Sequence, residues 1–477
     1  MKIIRVTYFA LATLFSVASC SKEATEPDVY DWADGKIYFR PTLSDVASSR
    51  AQDMTLDKLE SFQVTCFNIP DIKEGKTSPH FENATFVRKS DSSVETAFIS
   101  SPFEEPHDWP KTNGPVRFFA FSPSIEVMTE SFSSDMDFDE SRYFKLNKAT
   151  AASTGSIRYA LGVLRINPDI SRQFDFVTAE ASGERWKDFV GGVDLAFKHQ
   201  FSQVELKAWG NSEKYNFDIA GVRLGNPVVN STYFFADDFN IERSGQWSQG
   251  TRNKGKVEYL FTGTNVTDPN NTQNVGDKIY RISSRQHNTQ ASAASIMGLG
   301  GCAMVIPTKN DAWEGLEDTN IGNIPYSTDK MYFSILMRVS DVNSGNVVYP
   351  YPGNKSSMTV VSYAIDSDGK ILTRLFKDDT SGTYFTDAEH QHRYTVTQGV
   401  ETADFGWAAV PVSVEWEAGK KYVYTLDYSE GIGLHDPEDP EPGKLIVGQS
   451  PVEWSVSVSG WDYAEENDDY TPDLDVP

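Results

Sequence analysis

The chain has 477 residues, more than one ordinary hydrophobic core serves, so two domains are expected. Its formal net charge of −25 leaves no basic stripe to neutralise phosphates, which excludes nucleic acid as a partner. The same charge suits a soluble, surface-exposed protein.

The chain opens with Lys2 and Arg5, then a mostly apolar run, Val6 to Val17, then the small residues Ala18 and Ser19. This is the layout of a secretory signal peptide, and the run falls short of the ~20 residues a membrane-spanning helix needs. Val17-Ala18-Ser19-Cys20 resembles a bacterial lipobox. It implies cleavage between Ser19 and Cys20, acylation of Cys20, and anchoring in the outer membrane by several acyl chains, since one alone binds only marginally. Residues 1–19 are thus read as the signal peptide. Residues 20–34, polar and carrying Pro27, are read as a lipidated tether.

From there the pattern is short alternating runs broken by polar, Gly and Asn/Asp turns, as in all-β architecture. Phe62 to Cys66, Val193 to Phe197, Val204 to Ala208, Tyr215 to Ile219 and Trp454 to Val458 all alternate. Aromatics make up 13% of the chain and concentrate in these runs, as β-propensity dictates. Gln290 to Met297 reads as one or two helical turns, stopped by Gly298, Gly300 and Gly301. Ile365 to Ile371 reads as a hairpin turning at Asp368-Gly369. The polar, glycine-containing stretch 181–192 marks the best boundary, giving domains at 35–190 and 191–477, the second with an acidic tail. Cys66 and Cys302 either pair or remain buried thiols; the strand setting of Cys66 favours thiols.

Several segments resemble the fimbrillin family. They are Lys36-Ile37-Tyr38-Phe39, then Ser49-Arg50-Ala51, then Leu59 to Val64. Trp109-Pro110 with Val116-Arg117-Phe118-Phe119-Ala120-Phe121-Ser122-Pro123 follows. Phe174 to Ala179 with Val193 to His199, Met304-Val305-Ile306-Pro307, Trp416 to Leu426, and Trp454 to Trp461 complete the series. The resemblance implies two tandem transthyretin-like β-sandwich domains and a structural or adhesive role in a cell-surface fimbrium. It also implies maturation by an arginine-specific protease, here between Arg50 and Ala51, which would remove a strand including Lys36 to Phe39. A strand from the next subunit would then fill the vacated groove by β-augmentation. The loop 431–443 and the tail with Glu465, Glu466, Asp468, Asp469 and Pro472 make a poor donor strand, which argues for a minor or tip-type subunit rather than a major stalk subunit.

Chemistry leaves little trace. No His-Glu-x-x-His helix, Gly-x-Ser-x-Gly elbow or phosphate loop occurs, so no enzyme, cofactor or metal is expected. His390 and His392 share a strand face but lack a nearby third ligand, and read as an exposed hairpin. Asp366-Ser367-Asp368-Gly369 lacks the closing Glu of a calcium loop, since Lys377 stands there. Glu104-Glu105 and Asp237-Asp238 are pairs expected by chance in so acidic a chain, and His199 reads as structural. Trp109, Trp186, Trp209, Trp247, Trp313 and Trp407 would stack on glycans if exposed, although core or anchor roles are commoner. The alternative to a fimbrial subunit is a non-polymerising surface lipoprotein that binds glycans or other host or bacterial surface ligands.

Overall fold

The computed structural model describes residues 35–43 and, with short interruptions, 54–88, 98–235, 246–315, 328–350 and 405–460. Within 358–401 and at 468–470 it describes backbone strands only. The first eleven strands are β1 (Phe39–Leu43), β2 (Ser61–Asn68), β3 (Phe81–Arg88), β4 (Phe98–Ser100), β5 (Val116–Ser122), β6 (Lys145–Ala151), β7 (Ser156–Arg165), β8 (Val177–Gly183), β9 (Val193–His199), β10 (Ser202–Trp209) and β11 (Tyr215–Phe234). The α-helices among the described residues are short: α1 (Ile69–Lys73), α2 (Ile125–Glu130) and α3 (Arg185–Asp188). The molecule is all-β, as its alternating runs require.

Among the described residues, seven strands close into a barrel in the order β1-β4-β3-β2-β5-β8-β9. Its interior is filled by Phe39, Phe62, Phe86, Phe98, Phe118, Leu195 and their neighbours. Strand β9 alternates cleanly: Val193, Leu195 and Phe197 are buried, while Asp194, Ala196 and Lys198 are exposed. Strand β5 does not alternate, because both of its faces are covered. Phe118 and Ala120 enter the barrel, whereas Phe119 and Phe121 enter a second, larger core.

That second core lies between two sheets. In one, β10 runs parallel to Lys420–Asp427, which pairs with Glu453–Gly460. In the other, β11 pairs with Tyr332–Asp341, which pairs with Gly406–Pro411. The β6–β7 hairpin leaves the barrel and joins this sheet, with Tyr233 opposite Leu161. Two hydroxyl pairs bridge the bodies: Thr65 with Tyr159 at 2.9 Å and Thr178 with Tyr233 at 3.0 Å. Strand β11 changes register between Gly225 and Val228. Gly225 is required there, since a Cβ would meet the Tyr332 ring at 2.1 Å. Asn226 takes φ of 66° and its side-chain amide donates to the carbonyls of Thr328 and Lys330.

The helical reading of 290–297 is corrected: only a 3-10 turn, Gln290–Ser292, forms. Ile296 and Met297 are drawn into the large core, and the Ile296 amide donates to the Leu206 carbonyl instead of continuing a helix. The hairpin around 365–371 is present, with Ile365 opposite Ile371. Cys66 and Cys302 are buried thiols in different cores.

Candidate functional site

Strand β1 is the odd member of the barrel. It pairs in parallel with β9 from Phe39 opposite Val193 to Leu43 opposite Phe197. The other described barrel pairings are antiparallel. On its other side, among the described residues, β1 meets β4 at Phe39 with Phe98, the first described residue of β4. Parallel pairing is the slightly weaker kind per residue, and Pro41 removes one donor from the strand.

The side chains of β1 reach into the barrel core. Phe39 is 0% exposed, and its ring stands edge-on to Phe86 at 4.6 Å and Phe118 at 5.0 Å. Ile37 and Leu43 are also buried, while Arg40 and Thr42 face outward. The segment thus fills an apolar slot with alternate residues. The strand lies at Phe39–Leu43 with Lys36 in an isolated bridge, somewhat further along than the Lys36–Phe39 segment quoted from sequence.

The loop before β5 clamps the start of this strand. The Ile37 amide donates to the His107 carbonyl at 2.9 Å, and the Trp109 amide donates to the Gly35 carbonyl at 3.2 Å. Lys36 pairs with Asp108 at 2.8 Å, and Arg40 with Asp194 at 2.9 Å. Both acids are well exposed, so these pairs contribute little. The loop itself is held by rings: His107 stacks on Phe81 at 4.3 Å, and His80 donates to the Asp108 carbonyl at 2.7 Å. Burial holds the His107 pKa below its ordinary value, against the opposing pull of Glu104.

Downstream, the described chain resumes at Met54, whose amide donates to Asp175 at 2.9 Å. Asp175 is in turn paired with the His199 ring at 2.8 Å, and both are buried. His199 is structural, as its place at the end of an alternating strand suggested. Ser19, Cys20, Arg50 and Ala51 lie outside the described residues. So do the side chains of His390 and His392 and the turn at 366–369.

The other sequence candidates separate by burial. Trp109, Trp247, Trp313 and Trp407 are buried and Trp209 is half-buried, whereas Trp186 is 69% exposed. Glu104 accepts the Thr85 amide through both oxygens, a structural duty. No group of three or more His, Cys, Asp or Glu side chains able to hold a metal occurs among the described residues. Sequence reasoning missed two buried charge clusters. Arg223 lies over Trp407 at 4.0 Å and faces Glu258, Asp436 and Glu438. Asp218 receives both Arg281 and Arg338. The acidic loop at 431–443 is therefore partly folded onto the sheet, with Asp436 buried and bonded to Ser334.

A fimbrial protein from Bacteroides vulgatus aligns over 89% of this chain and 99% of its own, at 14% identity and a TM-score of 0.42. The tip fimbrial protein Mfa3 from Porphyromonas gingivalis, with a C-terminal truncation, aligns over 89% of this chain and 100% of its own, at 9% identity and a TM-score of 0.30. No curated protein matches the sequence. The Fimbrillin-like family profile matches residues 49–312, more than half of the chain, and the chain belongs to that family.

Proposed function

We propose that this chain is a fimbrial subunit in which β1 is a replaceable plug. The family supports a fimbrial or adhesion-related role at the cell surface, structural rather than enzymatic. The observation that carries the finer reading is the bonding of β1. Its side chains fill the barrel core, and among the described residues its one ladder of several pairs is the parallel one with β9. Such a strand exchanges readily, because an incoming strand regains both the ladder and the apolar slot.

In this reading the protein is exported as a lipoprotein acylated at Cys20 and held at the outer membrane. Cleavage between Arg50 and Ala51 releases the lipid and β1 together. The body stays closed behind the cut, because Met54 is tied to Asp175. The vacated groove takes a strand from another subunit, and a head-to-tail contact of this kind propagates without closing. The acidic, proline-bearing C-terminal tail suits a minor or tip-type member; the expectation that it makes a poor strand is corrected at Asp468–Tyr470, which pairs antiparallel with Val456–Val458. We keep two tandem transthyretin-like domains within this proposal but move the join from 190/191 to between His199 and Ser202, since β9 pairs into the barrel and β10 into the next sheet.

The test is an unboiled denaturing gel of cell-surface material, with N-terminal sequencing of every band. Bands above monomer size whose subunits begin at Ala51 are expected, and Arg50→Ala should abolish them. A single band that keeps an acylated Cys20 overturns strand exchange and leaves the surface-ligand binder.

A further inference from the structure

Helix α3 (Arg185–Asp188) joins β8 to β9 at one end of the barrel. Its Trp186 is the most exposed large hydrophobic side chain among the described residues, at 69%. The helix around it is fixed. The Glu184 amide donates to Asp188, the Gly192 amide donates to the Asp188 carbonyl, and Phe189 packs against the barrel core. Arg185 and Lys187 bracket the ring and are exposed, and the Lys187 ammonium sits 4.6 Å from the ring centroid.

This is also the end where the chain enters the barrel. The Arg185 guanidinium lies 4.0 Å from where a Cβ on Gly35 would stand, and Trp109 bonds the Gly35 carbonyl. Only residues 21–34 separate Gly35 from Cys20, a reach of at most roughly 50 Å at full extension. Strand β1 then runs away from this end, parallel to β9, and puts Leu43 about 25 Å further out.

We propose that the barrel end bearing α3 rests on the lipid surface, with Trp186 seated at headgroup depth and Arg185 and Lys187 at the phosphates. This rests on the lipoprotein reading of Cys20. An indole flanked by cationic side chains suits an interface that is apolar on one side and wet on the other. A protein partner is less well served. A standard interface covers about 800 Å² on each side. The other exposed large hydrophobics (Val127, Val342 and Leu445) lie on other segments.

The experiment uses the mature full-length protein in phosphatidylethanolamine–phosphatidylglycerol vesicles, with or without brominated phosphatidylcholine. Tryptophan emission is compared between wild type and Trp186→Ala, which removes an exposed ring and leaves the fold intact. Wild type should lose extra emission to the brominated lipid, and Trp186→Ala should not. Equal quenching of the two proteins in vesicles they both bind overturns this proposal alone. Shielding of Trp186 from aqueous iodide in assembled fimbriae but not in vesicles makes it a subunit contact and also overturns it. Mass analysis of Cys20 stands apart: an unacylated Cys20 overturns the lipoprotein reading and this inference with it.

Discussion

Phe39 makes ring contacts with Phe62, Phe86 and Phe118 and has no exposed surface. Phe39→Ala should therefore cost about 3–5 kcal/mol, the usual range for emptying an aromatic core site. Thr42→Ala, one turn of the pleat away and exposed, should stay within about 0.5 kcal/mol. Denaturant melts of the two variants check the contrast. His107 carries a pH dependence of definite sign. Burial lowers its pKa in the fold, so the unfolded chain takes up a proton that the folded chain refuses. Its contribution is full above the ordinary value of 6.5 and is lost as pH falls below it. The melting temperature of wild type should drop more steeply from pH 7 to pH 5 than that of His107→Phe, which keeps the stack on Phe81. At this scale the sequence shows His199 as structural because its strand pattern is local. It hides the Arg223 and Asp218 clusters because their partners are distant in the chain and brought together by strand pairing. Arg338 is 120 positions from Asp218.

Strand β1 is legible in part: Lys36 to Phe39 resembles the family's first strand, but nothing local says that the strand continues through Pro41 to Leu43. Its parallel partner, β9, is more than 150 positions away. The strand's exchangeability predicts a binding result. Protein cut between Arg50 and Ala51, and freed of residues 1–50, should bind a synthetic peptide spanning Lys36–Leu43. The same peptide with Phe39→Asp should not bind, because a carboxylate would be buried in the aromatic slot without a partner. Fluorescence anisotropy of a labelled peptide reads this directly. Elsewhere, β9 could be read from its alternation alone. The stretch 290–297 could not, because its turn residues fit a helix start and only the contact of Ile296 with β10 decides against it.

Among the described residues the two largest apolar cores hold one thiol each, Cys66 in the barrel and Cys302 between the sheets. Burial pushes the Cys66 thiol up. Native mature protein should take up no maleimide at either residue, and denatured protein should take up two, as a mass shift would show. Fold class was legible because alternation is a local property. The layout of the two bodies was not, because the β6–β7 hairpin crosses from one to the other and Phe119 and Phe121 turn their backs on the barrel. The direction of β1 has a mechanical consequence. If the chain is tethered through Gly35 while the body is pulled outward, the load runs along the strand axis. Its hydrogen bonds to β9 then lie across the force and share it, rather than opening one after another as in a zipper. An intact β1 would hold as a shear joint under flow, and a single proteolytic cut behind it would turn that joint into a free end.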